Sequence, residues 1–173
     1  MIAAAIALSI ALGGMSPDAA SSFDNLPKLF TDACLDGQAR LSRGAAVPIA
    51  FDTLPSILRD RLGTPASGKV WQLNATGRAY LYVLDYAPHP GMSPMICGVA
   101  GDEINLGSAR ATVEMRVAGN IGPHGMRGTQ WMQPGDGYTA TVTTAGSFKV
   151  LQINWMTKTD RALALEQVRA ITH

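Results

Sequence analysis

The segment KVWQLNATGRAYLYVLDY, residues 69–86, is the part of the chain that most clearly predicts the class of fold. Residues 69–74 alternate apolar and polar side chains, and residues 78–86 are rich in Tyr and Val. The intervening Ala75-Thr76-Gly77 is a turn sequence. Alternation over a short run is typical of a half-buried strand, and two such runs joined by a glycine-containing turn predict a β-hairpin.

Further strands are predicted on the C-terminal side of this hairpin. A loop with three prolines at residues 88–94 precedes the apolar run 95–100, and three more strand candidates follow at 129–133, 137–144 and 147–156. Glycine-containing turns separate the last three candidates, and such turns favour hairpin connections between successive strands.

Four helices are predicted from apolar residues at helical spacing that lie between capping and glycine signals. They begin near Asp24, at Asp52 or Thr53, at Gly101-Asp102 and at Asp160. The resulting order of elements is α-α-β-β-β-α-β-β-β-α, in which hairpins dominate. We therefore predict an α+β fold, in which a mainly antiparallel sheet of five to six strands has its helices packed on one face.

The N-terminus has the composition of a secretory signal peptide. Residues 2–12 are a run of small apolar side chains with one serine, followed by Gly13-Gly14 and then by the small residues 19–22. This order is typical of a signal peptide, although no Lys or Arg precedes the run, and the run is shorter than the roughly 20 residues of a membrane span. We expect cleavage after Ser21 or Ala20, which leaves residues 22–173 as a single periplasmic or secreted domain. The alternative is a buried N-terminal helix.

The charge of the chain is close to neutral. Removal of residues 1–21 takes one acid, Asp18, and leaves 14 basic and 12 acidic residues, a net charge of +2. The basic residues are scattered singly along the sequence, which disfavours binding of nucleic acid. No second apolar stretch approaches the length of a membrane span, so none is expected in the mature chain.

The chain has two cysteines, Cys34 and Cys97. Cys34 lies in a predicted amphipathic helix and Cys97 in a predicted apolar strand. In an oxidising compartment two such cysteines are most simply one disulfide. The alternatives are two buried free thiols or a reactive cysteine, but no nearby pattern supplies the base that a nucleophilic thiol needs.

The sequence contains no local catalytic signature, since GxSxG, HExxH, GxGxxG, CxxC and the Walker loop are all absent. An enzyme with this sequence would have to assemble its active site from distant positions. Asp85, His89 and His124 are the first candidates for such a site, because they lie on or beside predicted loops.

A second group of residues has the ligand chemistry of copper(I). Thioether and imidazole groups are soft ligands that suit this ion, and exported proteins encounter it. The alternative interpretation is that Met95 belongs to a core strand and that the loop histidines are simply solvated. The residues concerned are His89, Met92, Met95, His124 and Met126.

A pocket between the sheet and its helices is the leading candidate for a binding site. Large aromatic side chains in the predicted strands are expected to pack in the core, and some of them would line such a pocket. We therefore favour a non-enzymatic protein without a cofactor, whose partner is a small apolar ligand or an envelope protein. The candidate lining residues are Trp71, Tyr80, Tyr82 and Trp155.

The order of motifs also carries a family resemblance. The residues concerned are Phe30-Thr-Asp-Ala-Cys34 in an early helix, a second helix that ends at Gly63, Trp71, and Ile96-Cys97-Gly98-Val99 before a later helix. This layout resembles that of small uncharacterised exported proteins of proteobacteria, which share a signal peptide, an F-x-x-x-C helix and a Cys-Gly-Val strand. The resemblance implies an exported single-domain protein with a disulfide, and it implies no activity.

Overall fold

A computed structural model of the protein describes residues 25–36, 41, 44–87, 94–121, 126–127, 130–133 and 138–155. The predicted signal peptide at residues 1–21 and the predicted helix that begins at Asp160 lie outside these residues. Within the part of the chain that is described, no helix is long and apolar enough to cross a membrane.

Among the described residues, eight strands form one sheet in which every neighbouring pair is antiparallel. The α+β class with a mainly antiparallel sheet is therefore confirmed. The strands are β1 (Ala46–Ile49), β2 (Ser67–Leu73), β3 (Ala79–Asp85), β4 (Met95–Gly101), β5 (Met126–Arg127), β6 (Gln130–Gln133), β7 (Tyr138–Ala145) and β8 (Phe148–Trp155).

The strand order across the sheet is β1-β2-β3-β4-β8-β7-β6-β5. The chain thus forms two four-stranded meanders, and the pairing of β4 with β8 joins them. The long helix α3 (Leu106–Ile121) connects the first meander to the second. The sheet has two strands more than the upper limit expected from the sequence, because the short strands β1 and β5 lie in segments whose patterns resemble loops.

Helices cover the two faces of the sheet unequally. On one face lie α1 (Leu26–Phe30), the π-helical turn that continues it (Thr31–Leu35) and α3, and we call this the α1/α3 face. The short helix α2 (Ser56–Leu62) packs on the opposite face, which we call the α2 face, where it buries Leu58 and Leu62.

This two-sided arrangement differs from the expectation that all helices share one face. The physical reason lies in β3, which is buried at six consecutive positions, Ala79–Leu84, so that both of its faces need apolar cover. Alternate side chains of β3 enter separate hydrophobic clusters. Leu81 and Val83 join the α1/α3 face, whereas Tyr80 and Tyr82 join the α2 face.

A disulfide between Cys34 and Cys97 ties the helical layer to the sheet. Cys34 lies in the π-helical turn and Cys97 in β4, and their Cα atoms are 5.6 Å apart. The two residues are 1% and 3% exposed. The predicted pairing is therefore present, and it connects the start of the described chain to the middle of the sheet.

Gly98 follows Cys97 on β4, and its lack of a side chain matters on the α2 face of the sheet. It lies between Tyr82 of β3 and Gln152 of β8 in the strand register. A Cβ atom at this position would lie 2.6 Å from Cζ of Tyr82 and 2.7 Å from the carbonyl oxygen of Leu151. The missing side chain thus leaves room for the Tyr82 phenol, which crosses β4 and donates a hydrogen bond of 3.1 Å to Oε1 of Gln152.

The outer strand β1 contains a proline. The Asn74 amide donates to the Ala45 carbonyl over 2.8 Å, so the hydrogen-bonded positions of the β1–β2 pair are Ala45, Val47 and Ile49. Pro48 falls between them, opposite Trp71, and its nitrogen faces away from β2. A proline is compatible with a strand at such an edge position.

We expect the substitution Gly98→Ala to lower the free energy of unfolding by about 1–3 kcal/mol, because the added methyl group would overlap a buried ring and the backbone of β8. The control is Gly107→Ala, which adds the same methyl group to an exposed position of α3 and should change stability by less than ~1 kcal/mol. Urea unfolding of the two variants measures both effects. Equal midpoints for Gly98→Ala and the parent protein would contradict the packing described.

We expect the double substitution Cys34→Ala and Cys97→Ala to lower stability by about 4 kcal/mol, because the disulfide closes a long loop of the unfolded chain. Chemical reduction of the parent protein should give a similar loss. Thermal unfolding with and without reductant measures both. Uptake of two equivalents of alkylating reagent by denatured, non-reduced protein would contradict the disulfide.

Candidate functional site

A cleft of about 270 Å³ lies on the α1/α3 side of the molecule, where the N-terminal ends of α1 and α3 approach the turn between β2 and β3. This volume is close to the lower limit for pockets that take small molecules. The lining residues come from three separate parts of the sequence and are Asn25, Leu26, Pro27, Thr76, Glu103, Ile104, Asn105 and Ser108.

The start of α1 forms one wall of the cleft. The Asn25 side chain accepts a hydrogen bond of 2.9 Å from the Lys28 amide, which is the usual capping contact for this residue type. Pro27 lies in the first turn, where its fixed backbone angle suits a helix and no amide hydrogen is required. Both Leu26 and Pro27 are buried, so this wall is apolar towards the protein interior.

The start of α3 forms the facing wall in a similar way. The Asn105 side chain accepts a hydrogen bond of 2.9 Å from the Ser108 amide, and Ile104 just before it is 4% exposed. Gly101 at the end of β4 makes room for both apolar side chains. A Cβ atom there would lie 2.8 Å from Leu26 and 3.1 Å from Ile104.

The rim of the cleft near Thr76 is held by a cluster of charged groups. Asp102 accepts hydrogen bonds from the Arg78 amide (2.8 Å) and from its guanidinium Nε (3.0 Å), and the Lys149 ammonium donates to the Asp102 carbonyl. The Arg78 guanidinium also lies over the Phe148 ring, 4.8 Å from the ring centroid. Burial disfavours the charged carboxylate, but the hydrogen bonds and positive charge of Arg78 outweigh it, and the pKa of Asp102 is lowered.

The cleft therefore combines an apolar floor with a polar rim. Leu26, Pro27 and Ile104 supply the floor, and amide and hydroxyl groups surround it together with the Glu103 carboxylate. Among the residues that the structure describes, no group of three or more His, Cys, Asp or Glu side chains is arranged to hold a metal ion. Leu26 and Ile104 are only 6% and 4% exposed, so the surface that the cleft presents is more polar than apolar. The arrangement suits a small molecule that combines a small apolar part with hydrogen-bonding groups.

The four aromatic residues predicted to line a pocket do not share one face of the sheet. Trp71 is buried in the cluster on the α1/α3 face, whereas Tyr80 and Tyr82 are buried in the cluster on the α2 face. The backbone of Trp155 ends β8, and its side chain lies outside what is described. The other three, Trp71, Tyr80 and Tyr82, are not among the described residues that line the cleft.

The residues suggested for an active site or a copper site are only partly within the described chain. Asp85 ends β3 and accepts a hydrogen bond of 3.3 Å from the Ser67 hydroxyl, and Met95 is 1% exposed in the core next to it in register. The backbone of Met126 belongs to β5. The other three, His89, Met92 and His124, lie outside the described residues, so both sites stay predictions.

The cleft residues were not among the candidates drawn from the sequence. The available signals were two asparagines, Asn25 and Asn105, each immediately before a helix, but such residues are normally interpreted as caps. Thr76 was recognised only as part of a turn. Their proximity depends on the pairing of β3 with β4, which brings the β2–β3 turn beside the start of α3.

Comparison of the chain with protein-family models, with curated proteins and with solved structures finds no match in any of the three.

The buried phenol of Tyr82 gives the fold a measurable dependence on pH. Burial raises the pKa of Tyr82 well above its usual value of about 10, and the positive charge of Arg61 offsets this only in part. Burial also raises the pKa of the less deeply buried Tyr86 to about 12. A raised pKa stabilises the fold at pH values below the ordinary tyrosine pKa, and this stabilisation is lost as the pH rises above it.

We expect the free energy of unfolding to fall as the pH rises above about 10, because the unfolded chain ionises Tyr82 more easily than the folded protein does. The variant Tyr82→Phe should be less stable at neutral pH, by about 1–3 kcal/mol, since Gln152 loses its donor. It should also show a weaker decline in alkali than the matched variant Tyr86→Phe. Urea unfolding at a series of pH values measures this, and parallel pH profiles for all three proteins would contradict it.

Proposed function

We propose that this protein is an extracytoplasmic, non-enzymatic binding protein, whose cleft between α1 and α3 takes a small molecule with an apolar body and an uncharged hydrogen-bonding end. The observation that carries the proposal is the cleft itself, with its buried apolar floor and a rim of amide and hydroxyl groups that also includes the Glu103 carboxylate. A cleft in which oriented polar groups lie beside apolar side chains can bind a small molecule.

The location outside the cytoplasm is part of this proposal and has separate support. The Cys34–Cys97 disulfide is buried and links two parts of the core, and bonds of this kind persist in oxidising compartments. The apolar N-terminal run of the sequence adds the signal-peptide pattern. The resemblance to small exported proteobacterial proteins, carried by the early F-x-x-x-C and later Cys-Gly-Val motifs, supports the same location.

The shape of the cleft limits the ligand. At about 270 Å³ it accommodates a single ring system or a short chain and excludes a large cofactor. Asn25 and Asn105 each use their side-chain oxygen to cap a helix. Each therefore keeps two amide hydrogens with which to approach the oxygen of a ligand. Binding at this rim needs little ordering of the protein, because the caps already orient both side chains.

The cleft can be tested with a defined probe and a pair of matched variants. Phenol has an apolar ring and one hydroxyl group, whose oxygen can accept from the Asn25 and Asn105 amide hydrogens and whose hydrogen can be donated to Glu103. Its titration can be followed through the backbone amide signals of the labelled protein. We expect concentration-dependent shifts at Leu26, Ile104 and Ser108. The variant Ser108→Phe should abolish these shifts by filling the cleft, whereas Ala111→Phe, which puts the same ring at another exposed position of α3, should leave them intact.

Native mass spectrometry of the protein purified from its own host provides the second measurement. A bound species that is lost in Ser108→Phe and kept in Ala111→Phe would support the proposal and give the mass of the natural ligand. Absence of phenol shifts at millimolar concentration, together with a bare mass, would contradict it. Equal behaviour of the two variants would place any bound species elsewhere on the protein.

A further inference from the structure

Glu103 is the one acidic or basic side chain among the described residues that line the cleft. The other lining residues present apolar, amide or hydroxyl groups. An amide or a hydroxyl group can donate a hydrogen bond as well as accept one, whereas a carboxylate only accepts. Glu103 therefore places a requirement on the ligand that no other described residue of the cleft places on it.

The turn between β2 and β3 makes room for the Glu103 side chain. Gly77 has a φ of +73°, which favours glycine, and a Cβ atom at this position would lie 2.6 Å from Cγ of Glu103. The stem of Glu103 thus lies against the turn, beside the lining residue Thr76. Ile104 follows Glu103 and is 4% exposed, so the backbone on that side is anchored in the core. Close packing therefore holds Glu103 at the rim of the cleft.

The cations beside this segment are used by the neighbouring Asp102. The guanidinium Nε of Arg78 donates to the Asp102 carboxylate over 3.0 Å, and the Lys149 ammonium donates to the Asp102 carbonyl. Within the described part of the chain, Glu103 forms no ion pair of its own. Its carboxylate oxygens can therefore accept a hydrogen bond from a ligand.

The lining groups together select the polar end of the ligand. Asn25 and Asn105 offer amide hydrogens to an acceptor, and Glu103 offers oxygens to a donor. An ammonium group has no acceptor for the two amides, and its attraction to the exposed Glu103 carboxylate is small in water. A ligand carboxylate would accept from the amides but would be repelled by Glu103. An ether or a ketone lacks the donor, whereas a hydroxyl group satisfies both sides with one oxygen atom.

We propose that Glu103 makes the cleft selective for a ligand that carries a hydroxyl group, an alcohol or a phenol. The ligand donates its hydroxyl hydrogen to Glu103 and accepts from Asn25 or Asn105. Ligands with a carboxylate, an ammonium or an ether group at the same position bind more weakly. This inference rests on the function proposed for the cleft, and it adds the chemical class of the ligand and the residue that determines specificity.

The first experiment compares para-cresol with anisole. The two are uncharged isomers, but para-cresol has a hydroxyl group, whereas the oxygen of anisole is methylated and cannot donate. Amide shifts of the labelled protein measure both Kd values. We expect the parent protein to bind para-cresol about three- to tenfold more tightly than anisole. The ratio should fall to about one in Glu103→Ala. It should be kept in the control Glu114→Ala, which makes the same change at an exposed position of α3 that is not among the described lining residues.

The second experiment varies the charge of the ligand. Benzyl alcohol, benzylamine and benzoate share an apolar ring and differ in their polar end. At neutral pH the parent protein should bind benzyl alcohol most tightly. The variant Glu103→Gln keeps the shape of the side chain and removes its charge, so it should bind benzoate more tightly than the parent protein does. Thermal unfolding verifies that each variant folds.

The outcomes separate this inference from the function proposed for the cleft. Binding of para-cresol and anisole with equal Kd values by the parent protein would overturn the selectivity and leave the cleft as a binding site. A preference for para-cresol that persists in Glu103→Ala would overturn the role of Glu103. Tighter binding of benzylamine or benzoate than of benzyl alcohol would also overturn the inference. Absence of binding of all these probes would overturn the proposed function together with it.

Discussion

The pairing of β4 with β8 is the contact on which the remaining structure depends. Seven consecutive residue pairs join these strands, from Met95 opposite Trp155 to Gly101 opposite Lys149. Without this pairing the chain would be two separate meanders, each with a long unpaired edge. With it, both strands lie in the interior of one sheet, and the apolar cluster on the α2 face continues from β3 and β4 to Phe148 and Val150 of β8.

Three consecutive residues of β4 show how such an interior strand is used. Cys97 turns to the α1/α3 face and bonds to the helical layer, Gly98 leaves space for Tyr82 on the α2 face, and Val99 returns to the first face as a buried side chain. Because the period of a strand is two, these roles cannot be exchanged by a shift of one residue. The Cys-Gly-Val motif thus follows from the different requirements that the two faces of the sheet place on one strand.

The sequence predicted those parts of the fold that local patterns control. The alternation in residues 69–74 and the apolar run 95–100 identified β2 and β4, and the presence of two cysteines in structural surroundings predicted their pairing. The two faces of β3 were missed because an uninterrupted apolar run indicates burial without saying how many layers provide it. Strand β1 was missed because it is short and contains Pro48, and a proline, which cannot donate a hydrogen bond in a sheet, argues against a strand. The cleft could not be predicted, since Asn25, Thr76 and Asn105 become neighbours only after the sheet has formed.

The spacing of the two cysteines has a consequence for the order in which the protein matures. Cys34 and Cys97 both precede α3 and the whole of the second meander, and the covalent loop between them contains β1, β2 and β3. Because the chain is synthesised from its N-terminus onwards, both thiols are present before β8 has been made. Oxidation at that stage would form the disulfide while β4 is still an unpaired edge strand of the first meander. The later strands would then be added to a covalently closed template, in which β4 is an edge strand until β8 pairs with it.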